Sequence, residues 1–255
     1  MRTNQGKGLI NLQTSARLSR LLESILDRLA VLTAVLILLL GSYAIWDNYV
    51  ASNNSFISDE LLKYKPGDEN RLGLTELHKI NPDVCAWLTI DKTHIDYPVV
   101  KSKDNIDYLN KDVKKNFALG GSIFVDAQNS SDFSDRYTLI FGHHMANGAM
   151  FGDVANFLNA KYFKEHRYGS LTTLNQRYKI EIFACLKLNA SDSVIYNSSS
   201  QDENSIANLI EYIRQKAVQK RNLQTAKNSK LIALSTCSEA DTNGRIVLIG
   251  ILHKK

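Results

Sequence analysis

Residues 231–252 read LIALSTCSEADTNGRIVLIGIL. Two near-continuous apolar runs, Leu231–Thr236 and Arg245–Leu252, flank a polar loop, Ser238–Gly244, that closes on Asn243-Gly244. Short apolar runs rich in β-branched residues and bounded by turn residues read as strands, and Asn-Gly supplies the turn chemistry. Cys237 stands where the first strand meets the loop, and Arg245 stands where the chain returns. Similar runs occur upstream at Ala86–Ile90, Ile95–Val100, Ser122–Val125 and Tyr137–Phe141. Tyr178–Leu188 alternates with its even positions apolar. This puts Cys185 on the odd face with Lys179, Glu181 and Lys187, where partial exposure is expected. Seven or eight short strands joined by turns predict a mainly β fold, a closed or nearly closed barrel.

One long element interrupts the strands. Residues 202–220 set Ile206, Leu209, Ile210, Ile213 and Ala217 at helical spacing, with Asp202 or Asn204 as candidate caps. An amphipathic helix of about four turns is expected just before the Cys237 strand. Shorter helices are predicted at Ile57–Tyr64 and Leu74–Ile80.

The composition excludes several classes. In 255 residues, 44% apolar and 22% charged with 13 glycines and 3 prolines, there is neither a disordered nor a collagen-like pattern. Three cysteines at 85, 185 and 237 are too few for a disulfide framework and lack the C-x-x-C pairs of a zinc site. The mean hydropathy of −0.22 conceals one charge-free run, Leu29–Ile45, followed by Trp46. With Trp46 it reaches the lower end of what a bilayer core of about 30 Å requires. Arg2, Lys7, Arg17, Arg20 and Arg28 precede it against Glu23 and Asp27, and no basic residue follows until Lys63. The positive-inside bias therefore predicts a cytoplasmic N-terminus and a single span with the rest of the chain outside. A cleaved signal peptide is the competing reading, and Ser42-Tyr43-Ala44 loosely resembles its small-x-small site. The apolar stretch of such a peptide is usually only about 7–15 residues long, which favours the anchor. The first 28 residues carry +3 of the formal net charge of +5, so the basic balance reports topology more than nucleic-acid binding. The expected division is 1–28 cytoplasmic segment, 29–46 transmembrane anchor, 47–72 linker or helical tether, and 73–255 catalytic domain.

Chemistry is expected at strand ends, where a side chain is held rigidly yet can meet a substrate. Cys237 and Arg245 share one such end, and His143 follows Gly142 directly after the Tyr137–Phe141 strand. Thiol, imidazole and guanidinium together can attack a carbonyl, move protons and hold an oxyanion. The bland alternatives are a packed thiol, a surface His143-His144 pair and a solvated arginine, and spacing alone does not choose between them.

Longer motifs do choose. Leu234-Ser235-Thr236-Cys237 followed by Arg245, and Phe141-Gly142-His143 followed by Met145 and Met150-Phe151-Gly152, occur with Asn81-Pro82-Asp83-Val84, Trp87-Leu88 and Tyr97-Pro98-Val99-Val100. Asp104-Asn105, Tyr108-Leu109 and Gly121-Ser122-Ile123-Phe124-Val125-Asp126 complete the series. In this order, from about residue 74 to 252, they resemble the sortases, specifically class B. Cys85-Ala86 in place of a glycine before Trp87, and Ser238 between Cys237 and Glu239, are modest departures.

The resemblance implies a closed eight-stranded sortase-type β-barrel with N-terminal helices, a long helix before the cysteine strand and one transmembrane helix in front. It implies a membrane-anchored cysteine transpeptidase of Gram-positive type that cleaves a C-terminal sorting motif after Thr through a thioester. The acyl group would pass to an amine of a cell-wall precursor or a pilin lysine. Cys237 would be the nucleophile, His143 the acid and base, and Arg245 the support for substrate backbone and oxyanion, with the N–H of Ser238 a candidate donor. Asn105, Leu109, Ser235, Thr236, Tyr196 and Ile195 match substrate-groove positions. No metal or organic cofactor and no nucleic acid are implied. Two alternatives remain: a tethered cysteine peptidase that releases product to water, and a non-catalytic surface binding module.

Overall fold

The computed structural model describes residues 5–53, 56–67, 73–199, 202–225, 229–237 and 243–255. Two units are described. The first, Met1–Val50, is dominated by helix α1 (Gln5–Asn53). Within it Arg17–Asp47 is long and apolar enough to cross a membrane, and none of its most apolar stretch is buried by protein. Its leucines, isoleucines and valines are exposed all around the helix, a distribution suited to lipid.

The second unit, Ala51–Lys255, is built on nine strands. They are β1 (Val84–Ile90), β2 (Asp96–Val100), β3 (Ile123–Val125), β4 (Tyr137–Phe141), β5 (Tyr168–Thr173), β6 (Arg177–Asn189), β7 (Ala217–Lys220), β8 (Lys230–Cys237) and β9 (Gly244–Lys254). The order is β5-β1-β2-β3-β4-β8-β9-β6-β7, and β5 also pairs with β6. Eight strands thus close a mixed barrel and β7 hangs outside it. The β2–β3 and β4–β8 pairs are parallel and the others antiparallel.

Apolar side chains form three layers. Ile123, Ile140, Ile180, Ile232, Leu234 and Leu248 belong to the barrel interior. Leu231, Ala233, Val247 and Ile249, from alternate positions of the same strands, form an outer layer with Ile206, Leu209, Ile210 and Ile213 of helix α5 (Glu203–Lys216). A second outer layer, on Trp87, Val100 and Phe124, is covered by Tyr108 and by helix α3 (Leu74–Ile80). Ile57, and Leu61 and Leu62 beside or within the single-turn helix α2 (Asp59–Leu62), pack on that layer, so part of the expected tether belongs to the folded unit. Helix α4 (Ala160–Glu165) precedes β5.

The differences from the sequence reading have local causes. The strand β5 was not among the predicted runs because Leu171 is its one large buried apolar residue. A Cβ at Gly169 would sit 2.5 Å from the Thr89 carbonyl oxygen, so β5 approaches β1 at a distance only glycine permits. The predicted 202–220 helix divides at Lys216. Asp202 caps its start, accepting from the N–H groups of Asn204 and Ser205 at 3.0 Å, while Ala217 turns extended and opens β7. Cys185 is fully buried rather than partly exposed. The register of β6 with β9 slips between Ile182 and Ala184, so Ile180, Ile182 and Cys185 face the interior while Ala184 and Leu186 face α5. A bulge exchanges the faces of every later residue.

Ile213 is fully buried where α5 meets the barrel. Ile213→Ala should lower unfolding stability by about 2–5 kcal/mol, read as a lower denaturant midpoint at unchanged slope. A loss below about 0.5 kcal/mol would show that α5 is not held by this contact.

Candidate active site

The parallel register of β4 with β8 sets Phe141 beside Ser235, and the N–H of Gly142 donates to the Ser235 carbonyl at 3.2 Å. Two residues beyond this pair, His143 lies just past the end of β4 and Cys237 ends β8. On the other side of β8, Cys237 is the register partner of Arg245, which is also the partner of Leu188 on β6. The three positions proposed from sequence therefore meet at one rim of the barrel. Cys237 is placed here by its strand register. The half-buried Arg245 donates through Nη1 to the Gly244 carbonyl at 2.9 Å.

His143 is held by its backbone. Its carbonyl accepts the Phe151 N–H at 3.0 Å, and His144 bridges to Met150. The Met150 N–H donates to the Tyr97 hydroxyl at 2.9 Å, tying this loop to β2. A Cβ at Gly142 would lie 2.5 Å from Ile123 Cδ1 and 2.7 Å from the Phe151 ring, which explains the glycine before the histidine. Partial burial lowers the His143 pKa from the ordinary 6.5 by penalising the charged imidazolium.

The other sequence-selected residues divide by exposure. Leu109 is 41% exposed on the segment beside the rim. Asn105 accepts the Ala127 N–H at 2.7 Å through Oδ1 and donates to Asp126 through Nδ2 at 3.2 Å. Across from it, the Tyr196 hydroxyl hydrogen-bonds Ser235 Oγ at 2.9 Å, and its ring stacks on Phe141 with centroids 6.3 Å apart. Phe141 also contacts Phe124 at 5.5 Å, so it forms a floor joining the two outer layers; strand patterning alone had not marked it as a site residue. Ser235, Thr236 and Ile195 are closed from solvent. Ile195 is a core side chain whose carbonyl accepts the Tyr137 hydroxyl at 2.8 Å, and Thr236 Oγ1 has no hydrogen-bond partner among the described residues. Ser238 lies outside the described residues.

Cys85 and Cys185 are buried, and burial pushes both thiols up to about 12. Neither is a ready nucleophile. Among the described residues no cluster of three or more His, Cys, Asp or Glu side chains is placed to hold a metal.

The closed eight-stranded mixed barrel with one extra strand matches the fold of solved class B sortases. Sortase B of Listeria monocytogenes is 35% identical over 189 residues, 73% of this chain and 76% of that protein. A Streptococcus pyogenes class B sortase involved in pilus biogenesis superposes with a TM-score of 0.64 at 41% identity, covering 71% of this chain and 98% of its own. The Staphylococcus aureus sortase B–substrate complex gives 0.67 at 26% identity, covering 71% and 84%. No family model matches the chain. The chain belongs to the class B sortases and is a sortase transpeptidase.

Gly142→Ala should cost about 1–3 kcal/mol through the clash with Phe151 and reduce turnover by displacing His143, read by melting temperature and peptide cleavage. Unchanged values would mean that the close approach is dispensable. In a Cys237→Ala chain, imidazole NMR should place the His143 midpoint below 6.5. The unfolded chain then binds the proton first as pH falls. This group's contribution to stability is full above 6.5 and lost as pH drops through 6.5 towards the lower folded value. A midpoint at or above 6.5 would contradict the burial argument.

Proposed function

We propose that this sortase acts through Cys237, His143 and Arg245 on secreted proteins that carry a C-terminal sorting motif. The Cys237 thiolate attacks the carbonyl after the motif's Thr. His143, as the imidazolium, gives its proton to the departing amine, and the acyl group remains as a thioester. An incoming amine then attacks the thioester and gives its proton to His143, so the new amide forms, the Cys237 thiolate leaves and the thiolate–imidazolium pair is restored. Arg245 holds the substrate backbone and the charge on the tetrahedral oxygen. The observation that carries this reading is the register: Cys237 opposes Arg245, while the Gly142–Ser235 hydrogen bond aligns the histidine segment with the cysteine strand.

The substrate lies, on this reading, between the segment bearing Asn105 and Leu109 and the loop bearing Tyr196, over Phe141 and Ser235. The amine is a cell-wall precursor cross-bridge or a pilin lysine; the Streptococcus pyogenes relative involved in pilus biogenesis supports keeping both. The anchor 29–46 holds the chain in the cell membrane with residues 1–28 cytoplasmic, 47–72 as a tether partly packed on the barrel, and the 73–255 domain facing the wall. The basic residues before the span support that orientation.

The full chain in detergent should cleave a peptide containing a Pro-x-Thr segment and, with an added amine, form the amide product by mass spectrometry. Cys237→Ala and His143→Ala should abolish product, and Arg245→Ala should lower turnover by about 10²–10³. Hydrolysis alone at every amine concentration would establish the peptidase instead. Full activity in all three variants would return the site to a binding role.

A further inference from the structure

Asp126 follows β3 directly and is 3% exposed, yet no step of the chemistry above uses it. Its backbone is fixed, the N–H donating to the Leu139 carbonyl at 2.9 Å and the carbonyl accepting the Asn129 N–H at 3.0 Å. Its carboxylate accepts from three directions. Oδ1 takes the Gln128 N–H at 2.8 Å and the Ser198 hydroxyl at 3.1 Å, and Oδ2 takes Asn105 Nδ2 at 3.2 Å. Asn105 is closed into a ring with the same turn, because its Oδ1 accepts the Ala127 N–H. Ser198 is fully buried and lies two residues after Tyr196.

Two segments far apart in sequence therefore end on one buried carboxylate. One carries Asn105 and Leu109, and the other carries Tyr196. These are the two walls of the groove described above, so the inference rests on that assignment. We infer that Asp126 is a positioning residue that holds the two groove walls at a fixed separation, and so sets peptide affinity without touching the reacting atoms.

The chemistry of the group supports this role. A carboxylate offers acceptors on both oxygens, so it can bind the donors of both walls at once, and charge-assisted bonds are stronger than neutral ones. An amide of the same shape turns one oxygen into a donor. In Asp126→Asn, either Asn105 Nδ2 loses its acceptor, or the new NH2 turns to Ser198 Oγ and the Gln128 N–H of the supporting turn loses its acceptor.

The test uses full-length Asp126→Asn and, as a milder change, Ser198→Ala. Hydrogen–deuterium exchange should rise at 104–109 or 194–199 in both variants, and in Asp126→Asn also at the 126–129 turn, with β8 and β9 unchanged. With the Pro-x-Thr peptide, KM should rise about tenfold for Asp126→Asn while kcat stays within about twofold. The rate of Cys237 alkylation by iodoacetamide should match the parent chain. Unchanged exchange at both walls, or an unchanged KM in a chain that cleaves the peptide, would overturn the clamp. So would a kcat loss with altered alkylation, which would place Asp126 in the catalytic centre. If the parent chain cleaves no such peptide, the proposed function fails, while the exchange comparison still decides whether Asp126 joins the two segments.

Discussion

The structure depends on β8 being paired on both edges and covered on both faces. Its edges are held by β4 in parallel and β9 in antiparallel register. Ile232 and Leu234 fill the barrel interior, while Leu231 and Ala233 lie under α5. A strand so enclosed cannot slide, because a one-residue slip would exchange two complete sets of packed side chains. Its last residue, Cys237, is therefore placed by the whole barrel rather than by the loop that follows. A strand end enclosed in this way holds its last residue at a fixed place on the rim.

The barrel is legible in sequence wherever burial is two-sided or alternation is regular. Leu231–Thr236 and Arg245–Leu252 are apolar without interruption because interior and outer layer both take their side chains. The rim positions were legible for a related reason: Cys237, Arg245 and His143 are the chemically distinct residues at the points where apolar runs stop. Features set by tertiary geometry were not legible. β5 is a strand because it closes β1 onto β6, not because Tyr168–Thr173 has a strong pattern. The bulge that buries Cys185 leaves no mark in a periodicity count, since Phe183-Ala-Cys-Leu186 is apolar on either register. Residues 217–220 extend a helical pattern that ends because β6 offers them hydrogen bonds.

The groove shows a similar division. Asn105 and Tyr196 could be named from the family resemblance, but the contacts that hold their segments run to Asp126, Ser198 and Phe141, which carry no reactive signature. Ile195 and Thr236 show the reverse: motif positions whose side chains serve packing in this structure. Burial around His143 also has two effects. It penalises the imidazolium and, by the same removal of water, strengthens that cation's attraction for any neighbouring anion.

Closing a sheet into a ring removes its edges, but β7 lies outside the ring and restores one. An unpaired strand edge is a template on which another chain can add. Here the edge is four residues long, its Lys220 ammonium donates to the Arg214 carbonyl, and Gln219 donates to the Leu158 carbonyl at 3.0 Å. Brevity and a cation guard the strand against self-association. The same four residues are consequently the place where insertions or lengthening substitutions would first give the barrel a long edge on which another chain could pair.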